Sequence, residues 1–149
     1  MKNAFVLLVV LLTFLTHISH AQSDDCLSRK LESFKPLLKN GFSLVANKRC
    51  TISKDGSCSL AMHLSGDSTY VAVALLCDFS DLEDENMDIN LYVVNGKGNE
   101  KLDLSDTKPG STAHLEFNAV VSRTVKIIAR KVKGTQSSDV IIIVFAKPF

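Results

Sequence analysis

The 149-residue chain has no tryptophan, two tyrosines and three prolines. Sugar-binding faces usually stack rings on aromatic side chains, so this scarcity, with Tyr92 the clearest outward aromatic, counts against a carbohydrate module. A long apolar run is also missing. The stretch Ala4 to Leu15 has 12 residues, short of the roughly 18 that span a bilayer as a helix. No charge of either sign dominates: without Lys2 the chain holds 16 basic and 16 acidic residues, which excludes nucleic-acid attraction by bulk charge. Closely spaced ligand pairs such as C-x-x-C are absent. The cysteine spacings are 24, 8 and 19, and His63 and His114 are not arranged as ligands, so a zinc site is disfavoured. There is no internal repeat, low-complexity tract or linker to a second domain.

What is present begins with a leader. Lys2 supplies a positive start, Ala4 to Leu15 an apolar centre, and Ser19-His20-Ala21 small residues at a cleavage position, so residues 1–21 read as a signal peptide. Ser23-Asp24-Asp25 before Cys26 lacks the small, apolar pattern of a lipid-attachment site. The expectation is a secreted protein, periplasmic or extracellular, with no membrane insertion after cleavage. Cys26, Cys50, Cys58 and Cys77 all lie beyond the leader, and an even number in an exported chain predicts disulfides. Three connectivities are open; one has Cys50 with Cys58 closing a hairpin and Cys26 with Cys77.

Residues 22–149 are expected to form a single domain. Leu27, Leu31, Phe34, Leu37 and Leu38 recur at helical spacing, with Asp24 or Asp25 to cap the start and Gly41 to end it, predicting one short helix over about 26–39. Pro36 kinks it or stops it near Phe34. Strand patterns then run over about 42–147. Segments 42–46, 49–53 and 57–64 come first, with Asp55-Gly56 suited to a hairpin turn. Residues 70–79 are apolar on both faces, as is the carboxyl-terminal run 140–146, so both read as central strands. In MDINLYVVNGKG, residues 87–98, Met87, Ile89, Leu91 and Val93 point one way while Asp88, Asn90 and Tyr92 point the other, predicting a half-buried strand and then a turn. Segments 101–104, 113–119 and 124–132 complete seven to eight strands. Short polar turns and a single leading helix predict a mainly β fold, an antiparallel β-sandwich.

The order SGDSTYVAVALLCDFSD…MDINLYVVNGKGNEKLD, followed by an alternating strand and a final apolar strand, resembles the bacterial pre-peptidase carboxyl-terminal domain over residues 59–147. The resemblance implies a jelly-roll-like sandwich of the kind appended to secreted enzymes, generally non-catalytic and acting in secretion, folding or substrate adhesion. Asp88-Ile89-Asn90-Leu91-Tyr92 matches the family's Asp-x-Asp-Leu-Tyr strand, with Asn90 in the second acidic place. The segment around Cys26 also resembles small secreted proteins of Bacteroidetes type.

Four candidates for chemistry stand out. Residues 78–88 hold six acidic side chains in eleven positions. Calcium would neutralise them, with Asp81, Asp84, Glu85 and Asp88 as oxygen ligands, whereas the preferred reading, given the lack of a D-x-D-x-D-G loop, is a solvated loop that keeps a sheet edge from pairing. Lys126, Arg130, Lys131 and Lys133 make a basic strand, read first as an exposed edge and alternatively as a surface for an anionic polysaccharide or an acidic protein loop. Gly66-Asp67-Ser68 reads as a turn rather than a nucleophile block. Ser68 with His63 or His114 gives a small-hydrolase alternative that lacks an anchored orienting group or oxyanion hole. The expectation is a secreted, non-enzymatic binding or structural module with no cofactor other than the calcium alternative. Its partner is a protein or a cell-surface polysaccharide.

Overall fold

A computed structural model of the chain describes residues 26–53, 55–77, 88–95, 102–133 and 137–149. The chain divides into two units, Met1–Asn40 and Gly41–Phe149. The leader, the capping positions Asp24 and Asp25, the turn 96–99 and the acidic residues 78–87 lie outside the described residues.

In the first unit, residues 26–33 form a helix (α1), Phe34 a turn, and Lys35–Lys39 a second short helix (α2). The break falls where Pro36 predicts it. Pro36 occupies the first turn of α2, where its missing N–H has no intrahelical partner to lose. Lys35 pairs with Glu32 across the turn. Asn40 closes α2 by donating its N–H to the Pro36 and Leu37 carbonyls at 3.1 and 3.0 Å, and Gly41 follows with φ +88°, the left-handed geometry that ends helices. Among the described residues no helix is long and apolar enough to cross a membrane.

The second unit contains eight described strands: β1 (Ser43–Ile52), β2 (Ser57–Leu64), β3 (Ser68–Leu76), β4 (Asp88–Asn95), β5 (Leu102–Asp106), β6 (Thr112–Ala119), β7 (Arg123–Lys133) and β8 (Ser138–Pro148). They form two antiparallel four-stranded sheets, ordered β1-β8-β3-β6 and β2-β7-β4-β5. Each strand of the first half pairs with its mirror-image strand of the second half: first with last, second with seventh, third with sixth, fourth with fifth. A long hairpin rolled into two layers has this order, so the sandwich is a jelly roll.

Alternation explains the layers. Tyr70, Ala72, Ala74, Val140, Ile142 and Val144 of the first sheet face Leu91, Val93, Ile127, Ala129, Cys58 and Leu64 of the second in one buried cluster. Each fully buried aliphatic side chain there contributes roughly 1.5–3 kcal/mol. Residues 71, 73, 75, 141, 143 and 145, on the opposite faces of β3 and β8, are buried too, as the two-sided apolar runs predict, and both strands are central in their sheet. Tyr70 stacks on Phe117 with centroids 5.7 Å apart, and its buried hydroxyl accepts the Ser65 N–H at 2.7 Å while donating to the Ser65 carbonyl at 3.3 Å.

Three expectations need correction. The segments expected at 42–46 and 49–53 are one strand, interrupted only by an irregularity between Leu44 and Ala46. Asp55 and Gly56 do make a tight turn, with Asp55 at φ +59° and the Gly56 N–H donated to the Ser53 carbonyl at 2.9 Å; a Cβ on Gly56 would lie 2.9 Å from that oxygen. The turn is not a hairpin, however, because β1 pairs with β8 and β2 with β7. Finally, residues 123–133 are not an edge: β7 is hydrogen-bonded on both sides, to β2 and β4.

Candidate ligand-binding face

The strand β7 sorts its basic residues by parity. Val125, Ile127 and Ala129 point inward and are fully buried, so Lys126 and Arg130 point outward and Lys131 points in. Lys131 is 1% exposed, and its ammonium donates to Ser138 Oγ at 3.0 Å. Burying an ammonium requires such hydrogen bonding, and the position removes Lys131 from any surface for partners. Lys133 is exposed at the strand's end. Of the four basic residues named from sequence, Lys126 and Arg130 therefore share the outward face of the second sheet.

That face is built by register. Arg130 lies opposite Ser57 of β2 on one side and Asn90 of β4 on the other. Ile128 lies between Ser59 and Tyr92, Lys126 between Ala61 and Val94, and Tyr92 opposite Ser105 of β5. Asn90 Nδ2 donates to Tyr92 Oη at 3.0 Å, and the Arg130 guanidinium sits over the Tyr92 ring, 5.8 Å from its centroid. Ring and cation attract through the ring quadrupole, which holds the guanidinium against the sheet. Asn90 Oδ1 is buried and has no hydrogen-bond partner among the described residues. Tyr92 was legible from sequence as the outward aromatic and Asn90 as its neighbour on the same strand face, though Asn90 was not named as a site residue; Ser57 was missed.

Three carboxylates elsewhere are committed. Asp88 is buried, and its Oδ1 accepts the Gly110 N–H at 3.2 Å, while Ile89 donates its N–H to the Gly110 carbonyl at 2.9 Å. Asp106 accepts the His114 N–H at 2.9 Å and the Lys108 N–H at 3.2 Å. Burial opposes its ionisation, but the backbone N–H groups of His114 and Lys108 outweigh it and hold the carboxyl below the usual range. Asp139 is lowered first by the Thr51 hydroxyl, donated at 2.5 Å, and then, against partial burial, by Arg49, which is ion-paired with it. The calcium reading rests on Asp81, Asp84 and Glu85, which lie outside the described residues, and on Asp88. No cluster of three His, Cys, Asp or Glu side chains suited to a metal occurs among the described residues.

The hydrolase residues are spread out. Ser68 is buried, and its hydroxyl donates to the Gly66 carbonyl at 3.3 Å. It lies opposite Ala119 at one end of β6, whereas His114 lies opposite Val73, five positions or roughly 16 Å further along. His63 belongs to the outward row of the other sheet. Cys50 and Cys58 are disulfide-bonded, with Cα atoms 5.7 Å apart; Cys26 and Cys77 are each disulfide-bonded as well, and no cysteine is free.

No family model matches the sequence, and no curated protein matches it. Among solved structures, the pre-peptidase C-terminal domain of a Bacillus anthracis collagenase is similar over 68% of this chain and 89% of that one, with a TM-score of 0.50 and 11% identity. A mitogen derived from Yersinia pseudotuberculosis gives 0.43 and 12% over 66% and 82%, and a CBM4 carbohydrate-binding module 0.42 and 13% over 72% and 78%. The chain thus shares the fold of the pre-peptidase C-terminal domain.

Proposed function

We propose that this chain is an exported, non-catalytic binding module that holds a cell-surface polysaccharide on the outward face of β2-β7-β4-β5. The observation that carries the reading is the polar network of Asn90, Tyr92 and Arg130 on the outward sheet face. Three adjacent polar groups with hydrogen-bonding capacity left over are suited to a polar ligand lying along the strands. Two disulfides support export to an oxidising compartment. The separation of Ser68 from His114 supports a module over a hydrolase, since a nucleophile and its base must meet within hydrogen-bond reach.

The test is native electrophoresis of the chain through gels cast with single soluble polysaccharides, both neutral and acidic. Retardation by at least one of them, diminished in Tyr92→Ala at unchanged thermal midpoint, is the expected result. Free migration through every gel overturns the reading.

A further inference from the structure

We infer that the ligand is an acidic polysaccharide, and that its oxyanion groups are held by the Arg130 guanidinium and the Tyr92 hydroxyl. This inference rests on the binding face proposed above and adds the chemistry of the ligand to it.

The argument is an inventory of hydrogens. Tyr92 Oη already accepts from Asn90 Nδ2 at 3.0 Å, so the phenolic hydrogen points elsewhere, as a donor. Arg130 carries five N–H donors and no acceptor, and among the described residues it makes no hydrogen bond or ion pair, only its contact with the Tyr92 ring. The polar hydrogens that the network leaves uncommitted therefore belong to donors grouped around one point. What they lack is an acceptor, and a charged oxyanion satisfies a guanidinium with two parallel bonds.

Among the described side chains, the surroundings supply no substitute acceptor of that strength. Outward positions on the neighbouring strands are Ser57, Ser59, Ala61 and His63 on β2, Thr124, Lys126, Ile128 and Val132 on β7, Asn90 and Val94 on β4, and Ser105 on β5. None of these described side chains is a carboxylate. Arg49 on β1 shows the contrast, because its guanidinium is already matched by Asp139, a carboxylate that also accepts the Thr51 hydroxyl. Asn90 Oδ1 is buried, so it offers the guanidinium no exposed acceptor either. Sugar hydroxyls are donors as well as acceptors. A polysaccharide bearing acid groups brings both kinds of partner on one chain, which a free inorganic anion does not.

Polygalacturonate, its fully methyl-esterified form, dextran sulfate and dextran are the probes, with binding followed by calorimetry. The expected result is binding of polygalacturonate or dextran sulfate that falls steeply with salt, with no binding of the ester or dextran. Arg130→Gln should weaken it by roughly ten- to a hundredfold, the range of one charge-assisted pair, and Tyr92→Phe, which keeps the ring and loses the hydroxyl with its bond from Asn90, by about three- to tenfold. Lys108→Gln, which removes one charge from the β5–β6 connection, should leave affinity unchanged. Equal binding of the ester and the acid overturns the oxyanion assignment and leaves the binding face standing. Binding of charged polymers that Lys108→Gln weakens as much as Arg130→Gln overturns the assignment to this site. No binding of any probe, acidic or neutral, overturns the face and the inference together.

Discussion

The sandwich has two open sides, and they are closed by different chemistry. Where β1 meets β2, no ladder joins the strands; the Cys50–Cys58 disulfide does, helped by Lys48, whose ammonium donates to the Ser59 carbonyl at 2.7 Å. Where β5 meets β6, Asp106 reaches across to the His114 N–H and also holds the Lys108 N–H of the connecting turn, which Asp88 grips at Gly110. The need is the same on both sides, since each edge strand pairs on one side only and leaves alternate backbone groups unmatched. One seam is covalent and sensitive to reductant. The other is a set of carboxylate–amide bonds and is sensitive to acid.

Removing the carboxylate at the second seam should have the largest effect. Asp106→Ala strands two backbone N–H groups at a position about one-tenth exposed, and each lost partner costs roughly 1–3 kcal/mol. We expect a loss of about 3 kcal/mol in denaturant-unfolding free energy. Asp106→Asn, which retains one carbonyl acceptor, should lose about half of that. A loss near zero would mean that water replaces the carboxylate without penalty, and the two seams would not be comparable.

Breaking the first seam comes next. Cys50 and Cys58 are 8 residues apart, and so short a loop constrains the unfolded chain by roughly 2–3 kcal/mol. Cys50→Ser with Cys58→Ser should therefore lower the unfolding free energy by about that amount, and the loss should be the same at pH 7 and pH 4. The second unit should still fold, because its ladders do not pass through the bridge and Cys58 is one of many residues in its core. If instead the double variant no longer folds, the disulfide determines the topology rather than closing it.

How far these seams and the binding face were legible depends on which physical signal each left. The two-sided apolar runs at 70–79 and 140–146 announced central strands, since only a strand covered on both faces tolerates them. The inner row Ile89, Leu91 and Val93 was legible from a period of two. The Asp55-Gly56 turn was legible as a turn but misread as a hairpin, because turn chemistry is local whereas the partner of β1 is the last strand of the chain. The basic strand was misread for a different reason: four cations were counted along a segment without regard to parity, and Val125, Ile127 and Ala129 already assign Lys131 to the inner row. Asp106 left no signal. A carboxylate that bonds an N–H eight residues on looks, in sequence, like any loop acid.

Acid should separate the seams by a smaller margin. The Asp106 and Asp139 carboxyls titrate below their usual range, so the unfolded chain takes up protons before the folded one does. Their contribution to stability is complete above the unfolded carboxylate values near about pH 4. It is lost as pH falls through the lower folded values. The stability difference between the native chain and Asp106→Asn should accordingly shrink as pH drops from about 5 to about 2, while the difference caused by the cysteine substitutions stays flat. A difference that does not shrink in acid would refute the assignment of the second seam to an ionised carboxylate.

The smallest effect concerns how the two parts of the first seam depend on each other. Lys48 bonds across strands that share no ladder, and the disulfide bridges the same two strands, setting how far its ammonium must reach to the Ser59 carbonyl together with the packing of the sheets. Lys48→Met keeps the apolar stem and loses the donor. In the disulfide-bonded protein it should cost about 0.5–1 kcal/mol, the worth of an exposed charge-assisted bond. Once Cys50 and Cys58 are serines, the strands are held apart only by their neighbours and the effective concentration of donor at acceptor falls, so the same substitution should cost less. The double-mutant cycle measures that difference directly. Equal costs in both backgrounds would show that packing of the two sheets, and not the covalent bridge, sets the spacing of β1 and β2, and that this seam would stay closed under reducing conditions.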